Sequence, residues 1–198
     1  MASTYDVLIV GGRPAGSSLA LRLGRAGMRV LLIDKTRLDQ QPPLSLPFLM
    51  NSSMQLLDEL GLDEVDYAAD APRLRRFYLH FRDYFRTYLS IAPVGGRDYV
   101  YVVDRVQLDG ALWRRLDAFP TVDKREQATL IDVLRDAAGA ACGITYRDAG
   151  GELQQAAAPW VVGADGRFSL LARKVDAAVT ETHPEVATSA LYAFWSGV

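Results

Sequence analysis

The sequence predicts an α/β fold: a doubly wound parallel sheet, with inserted β strands that begin a second sheet. Three observations carry this. Residues 6–34 read as strand, glycine turn, helix and strand, which is a βαβ unit. Residues 160–166 are another short apolar run closed by glycines. Between them, residues 75–103 hold three strand-like runs, too long an excursion for a standard crossover, so they are assigned to the second sheet.

Asp6-Val-Leu-Ile-Val10 is apolar along almost its whole length, as a parallel strand buried on both faces must be, and Gly11-Gly12 close it. Residues 14–26 space Ala15, Leu19, Leu23 and Ala26 by three or four, which predicts a helix packing that face on the sheet until Gly27. A second buried strand follows over 28–33 and ends at Asp34. Residues 35–47, with Pro42, Pro43 and Pro47, read as a loop, and 50–60 as a helix stopped by Gly61. Strands are expected over 77–81, 87–91 and 99–103, with Asp83 in the first turn. Val106, Leu108, Leu112 and Leu116 give 105–116 one apolar helical face. Short strands follow at 130–134, 143–146 and 153–157, then a buried strand at 160–162 and a short helix at 169–175. Residues 187–195 begin a further strand. On this reading 1–74 and 104–176 form one discontinuous domain. Residues 75–103 and 177–198 belong to the second, substrate-side sheet, which is expected to be truncated.

Bulk properties exclude several functions. The 198 residues are 49% hydrophobic and 23% charged, ordinary for a folded domain. A net charge of −2 supplies no basic field for nucleic acid or anionic lipid. The single cysteine, Cys142, rules out a disulfide framework and points to a reducing, cytoplasmic setting. The N-terminus lacks a signal-peptide pattern, and no apolar run reaches the length of a membrane span. His80 and His183 have no carboxylate or cysteine neighbours at metal-ligand spacing, so no metal is expected.

The chemistry-bearing stretch is Val10-Gly-Gly-Arg-Pro-Ala-Gly16. In a dinucleotide-binding loop the first glycine makes the tight turn, the second admits pyrophosphate to the backbone, and the third lets helix and strand pack closely. Here Gly11 and Gly16 take the first and third roles, and Arg13 stands in the middle place. The loop follows a buried strand and opens a helix. About two dozen residues on, Asp34 ends the next strand, placed to accept hydrogen bonds from ribose hydroxyls. Arg13 does not abolish such a cradle, because backbone N–H groups and the helix N-terminus hold the anion. It either adds a forked donor beside the pyrophosphate or turns to solvent. Arg105 is a cation at a helix start, against the dipole, which calls for an anionic partner. Asp165 lies between glycines past a strand end, where ligands of open α/β sheets collect. Its plainer reading is a turn residue bonding its own backbone. Phe77, Tyr78, Phe81, Tyr84, Phe85 and Tyr88 either form sheet core or wall an apolar pocket, and the core reading is the commoner.

These residues resemble the p-hydroxybenzoate-hydroxylase-like FAD-dependent enzymes, with a geranylgeranyl-reductase-like branch among them. Three stretches carry the resemblance in the family's order: Val10 to Asp34, Arg105-Val-Gln-Leu-Asp109-Gly-Ala-Leu112, and Gly163-Ala-Asp165-Gly166-Arg-Phe-Ser169. The resemblance implies a Rossmann-like FAD-binding sheet. It implies FAD held by Gly11, Gly12, Arg13, Pro14, Ala15, Gly16, Asp34, Lys35, Arg105 and Asp165. The family often has arginine where Ala172 stands, with Arg173 one place later. The implied activity is monooxygenation: NAD(P)H as co-substrate reduces FAD, O2 adds at the flavin C4a, and the hydroperoxide oxidises an aromatic or apolar organic substrate. Two alternatives are a flavin-dependent reductase of isoprenoid double bonds and a non-catalytic nucleotide-binding module. No residue is singled out as acid or base. The family's later Gly-Asp motif is not among these residues, so the chain is expected to be the first half of such an enzyme.

Overall fold

The computed structural model describes residues 5–40 and 48–183. The expected strand over 187–195 and the prolines at 42, 43 and 47 lie outside them. The elements run β1 (Val7–Val10), α1 (Pro14–Arg25), β2 (Val30–Ile33), β3 (Phe48–Leu49), α2 (Asn51–Glu59) and α3 (Glu64–Ala68). Then come β4 (Arg76–Phe81), β5 (Phe85–Ser90), β6 (Tyr101–Val102), α4 (Arg105–Arg115) and a 3-10 turn (Leu116–Ala118). The chain continues through β7 (Val122–Arg125), β8 (Thr129–Arg135), β9 (Ala141–Arg147), β10 (Leu153–Ala157), β11 (Trp160–Gly163) and α5 (Leu170–Lys174).

A parallel sheet in the order β11-β1-β2-β7 forms the middle layer. Its two central strands are buried throughout, as the apolar runs predict. Alternation divides their side chains between two cores. Val7, Ile9, Val30 and Leu32 meet the helices, with Leu112, Leu116, Met54 and Tyr67. Leu8, Val10, Leu31 and Ile33 meet the antiparallel sheet β10-β9-β8 through Leu130, Val133, Ile144 and Ala156. Each fully buried leucine or isoleucine here is worth about 1.5–3 kcal/mol of transfer free energy.

The structure corrects the sequence reading at several places. Helix α1 buries Gly16, Ser17, Ala20, Leu21 and Gly24, while Leu19 and Leu23 lie at the core margin and Ala15 is exposed. The helix approaches the sheet through its small residues, so the face that packs is one position away from the apolar one. A Cβ at Gly24 would lie 2.7 Å from a Val122 methyl. Among the described residues strand β11 is a sheet edge, and Trp160 at its start is 67% exposed rather than buried. Strand β7 was not anticipated, because only Val122 of Val-Asp-Lys-Arg is buried and the apolar signal is one residue long. Helix α3, five residues long, is too short to show a period. Strands β4 and β5 pair as an antiparallel hairpin, but Tyr78, Phe81, Tyr84, Phe85 and Tyr88 are exposed and are not sheet core among the described residues.

Helix α3 is fixed by a polar cluster. The Glu64 carboxylate accepts hydrogen bonds from Arg97 Nε (2.6 Å), Tyr99 (2.7 Å) and Tyr101 (2.7 Å), with Arg73 at 3.3 Å. Burial opposes ionisation, yet the bonds from Arg97, Tyr101 and Tyr99 outweigh it and hold the carboxyl down at about 2. A depressed pKa stabilises the fold above the ordinary value and is lost as protons are forced on. We therefore expect Glu64→Gln to remove about 1–2 kcal/mol at neutral pH, and the parent to lose this increment as pH falls from 4.5 towards 2. Denaturant unfolding of both proteins across that range checks this. Equal pH dependence in parent and variant would count against it.

Candidate functional site

The parallel strands β11, β1 and β2 end side by side at their carboxyl ends, and the chain leaves β1 through Gly11-Gly12 and β11 through Ala164-Asp165-Gly166. Gly11 has φ +105°, a left-handed backbone that disfavours any side chain. A Cβ on it would lie 2.3 Å from the Ala164 carbonyl oxygen. A Cβ on Gly12 would enter the Trp113 ring at 2.6 Å, and one on Gly16 would sit 1.8 Å from the Gly11 carbonyl oxygen. The three glycines thus permit three close approaches: to the β11 exit, to α4, and of α1 to its own strand. Ser17 tightens the loop by donating to the Gly12 carbonyl at 2.5 Å.

Helix α1 begins in this loop. Arg13 is its N-cap and provides no side-chain cap, and Pro14 occupies the first turn. Among the described residues the first-turn N–H groups of Ala15 and Gly16 therefore have no side-chain acceptor at the positive end of a three-turn dipole. This is the arrangement that holds anionic groups at helix N-termini.

Asp34, buried at the end of β2, accepts from Gly12 N at 2.7 Å through Oδ2. Through Oδ1 it accepts from Thr36 N (2.8 Å) and Thr36 Oγ1 (2.7 Å). A carboxylate has about four acceptor positions, so three protein donors leave room for one more. Lys35 beside it is exposed.

Arg13 neither turns to solvent nor stands alone in the loop. Its Nη1 donates to Asp109 Oδ2 at 2.5 Å, and its Nη2 to Thr36 Oγ1 at 3.2 Å and the Gln40 carbonyl at 3.3 Å. Arg105, in the first turn of α4, finds the anionic partner that its position calls for one turn along. Its Nε and Nη2 lie 3.0 and 2.8 Å from Asp109 Oδ1. Asp165 follows β11 directly after Ala164. It accepts from Ser169 Oγ (2.6 Å), Leu170 N (2.7 Å) and Leu171 N (3.2 Å), and so fixes the start of α5. The same fixing places Ala164 and Asp165 backbone against Gly11, with Ala164 N donating to Val10 O at 2.7 Å. Arg173, in the last turn of α5, is exposed.

Gly11, Gly12, Arg13, Gly16, Asp34, Arg105 and the Asp165 backbone thus meet at or beside the loop, whereas the Lys35 and Arg173 side chains are exposed. Three contributors were not anticipated: Asp109, Thr36 and Trp113. Asp109 had a readable signal, the i,i+4 spacing to Arg105. Trp113 and Thr36 had none, because their roles depend on how α4 and the β2 exit meet the loop. A dinucleotide fits this chemistry, since the cradle is one that a single Cβ would fill and its helix end is uncapped. Among the described residues no cluster of His, Cys, Asp or Glu could hold a metal ion, and no helix is long and apolar enough to cross a membrane.

Comparison with known proteins agrees with this geometry. The family model described as FAD binding domain matches residues 4–193. Squalene monooxygenase SE1 of Panax ginseng is 31% identical over 183 residues, covering 88% of this chain and 32% of that protein. The 3-(3-hydroxy-phenyl)propionate/3-hydroxycinnamic acid hydroxylase of Comamonas testosteroni is 29% identical, over 87% of this chain and 29% of its own. The structure of the myxobacterial chondrochloren halogenase CndH, an FAD-dependent halogenase, superposes with a TM-score of 0.71 at 28% identity, over 83% of this chain and 38% of that one. The chain spans about a third of the length of the curated relatives it matches.

Proposed function

The chain belongs to the FAD binding domain family, and from that premise we propose that it holds FAD for an NAD(P)H-dependent monooxygenase acting with O2 on an apolar or aromatic organic substrate. The single observation that carries the FAD assignment is the glycine-only cradle at an uncapped helix end, beside a buried aspartate at the end of the next strand. On this reading the first-turn N–H groups of Ala15 and Gly16 hold the pyrophosphate, Pro14 sets that turn, and Gly11 and Gly12, whose own N–H groups bond Ile33 O and Asp34, leave room for its approach. Asp34 takes a ribose hydroxyl, with Lys35 beside it. Arg105 approaches the cofactor from α4, and Asp165 holds the backbone after β11 in place. Bound FAD supplies the redox and oxygen chemistry; the protein binds it, orients it and keeps water away.

The monooxygenase part rests on the relatives, whose names point to oxygenation of organic molecules, squalene and a hydroxyphenylpropionate among them. The test is NADH and NADPH oxidation by the FAD-loaded protein, in the longest polypeptide its gene encodes, with and without candidate substrates. We expect oxidation to accelerate with substrate and to consume O2 in step with product. Anaerobic saturation of a substrate double bond would replace this reading with a reductase. Electrons recovered only as peroxide, whatever the substrate, would remove the oxygenase reading.

A further inference from the structure

We propose that Asp109 is a positioning residue: it clasps Arg13 and Arg105 together beside the glycine loop, and Arg13 serves the site through this clasp rather than by touching phosphate. The proposal rests on reading the loop as an FAD cradle.

Asp109 is wholly buried, and a buried carboxylate persists only with strong partners. It has two guanidiniums. Arg105 covers Oδ1 with Nε and Nη2 and reaches Oδ2 at 3.1 Å, while Arg13 Nη1 takes Oδ2 at 2.5 Å. The other arm of Arg13 bonds Thr36, Thr36 bonds Asp34, and Asp34 accepts from Gly12, the neighbour of Arg13 in sequence. The bonds therefore close a ring through the glycine loop and the exit of β2, with Asp109 tying that ring to α4. An arginine in this loop is tolerated because its side chain is drawn sideways into the ring, away from the N–H face at the start of α1. Both arginines are held in fixed places and the trio keeps one net positive charge.

The clasp and a direct phosphate contact predict different salt dependence. A partly exposed guanidinium on phosphate is screened by salt, whereas a pair made to a fully buried carboxylate is screened far less. The experiment titrates FAD and ADP against the parent, Arg13→Gln, Asp109→Asn and the double variant, at low and high salt, with melting temperatures alongside. We expect each single variant to weaken FAD about tenfold, the scale of one lost charged hydrogen bond, by the same factor at both salts. The double variant should be no worse than the singles. Asp109→Asn leaves two like charges facing each other, and Arg13→Gln relieves that, so the effects share one cause. Three results would overturn the clasp: a loss confined to low salt, additive losses, or lower melting temperatures with unchanged affinity. Should Asp109→Asn fail to fold, the salt profile of Arg13→Gln decides alone. No FAD binding by the parent overturns the cradle as well, whereas parent binding with unaffected variants overturns only the clasp.

Discussion

Replacing Gly16 by alanine is expected to abolish FAD binding and to cost the fold about 1–3 kcal/mol, the range for overpacking. The new methyl would lie 1.8 Å from the Gly11 carbonyl oxygen and 3.0 Å from its carbon. Both are backbone atoms, so no side chain can swing aside. Either α1 lifts off β1 or the loop is pushed outward, and each movement destroys the relation between Gly11, Gly12 and the first turn of the helix. Gly11→Ala should do comparable damage, because φ +105° and a 2.3 Å approach to Ala164 O act together. The control is Gly150→Ala in the β9–β10 turn, where the nearest atom to the new methyl is 3.4 Å away. It should change stability by less than about 0.5 kcal/mol and leave FAD affinity untouched. Denaturant unfolding and flavin titration of the three variants check this. A Gly16→Ala protein that binds FAD like the parent would mean that the cofactor does not use this loop.

Asp34→Ala is the second large effect, weakening FAD about 10–100-fold, or about 1–3 kcal/mol. The carboxylate accepts three hydrogen bonds from the protein, and one of them, from Gly12 N, fixes the loop itself. The variant therefore loses the proposed ribose contact and also slackens the cradle. Asp34→Asn should be nearly as harmful. Its oxygen can serve one side, but its amide NH2 then faces a backbone or hydroxyl donor, because both carboxylate oxygens are met by donors in the parent. Flavin titration of folded variants checks this, and unchanged affinity in Asp34→Ala would remove Asp34 from the site.

Much of the fold was legible in the sequence where burial is complete. Val7–Val10 and Val30–Ile33 are apolar on both faces, and only a covered parallel strand requires that. Edges were less legible: among the described residues Val122–Arg125 and Trp160–Gly163 each have one open side, so the first was missed and the second, though expected as a strand, was expected to be buried. The face of α1 was misread because the closest packing belongs to Gly16, Ala20 and Gly24, which carry little or no side chain for a periodicity to report. In the candidate site, the glycine turn at Gly11 and Gly16 and the strand-end position of Asp34 were legible from spacing. The destination of Arg13 was not. It depends on Asp109 reaching the loop from α4, a contact between residues 96 positions apart in sequence.

The Gly11–Gly16 loop and Asp34 are proposed to form an adenine-dinucleotide cradle for FAD. The direct measurement is titration of the folded chain with FAD and, in parallel, with FMN, following flavin fluorescence. FMN carries the same ring but lacks the adenosine and the second phosphate that the cradle is proposed to hold. We expect saturable binding of FAD at one site per chain and far weaker binding of FMN. A folded chain that fails to bind FAD, or that binds FMN equally well, would contradict it.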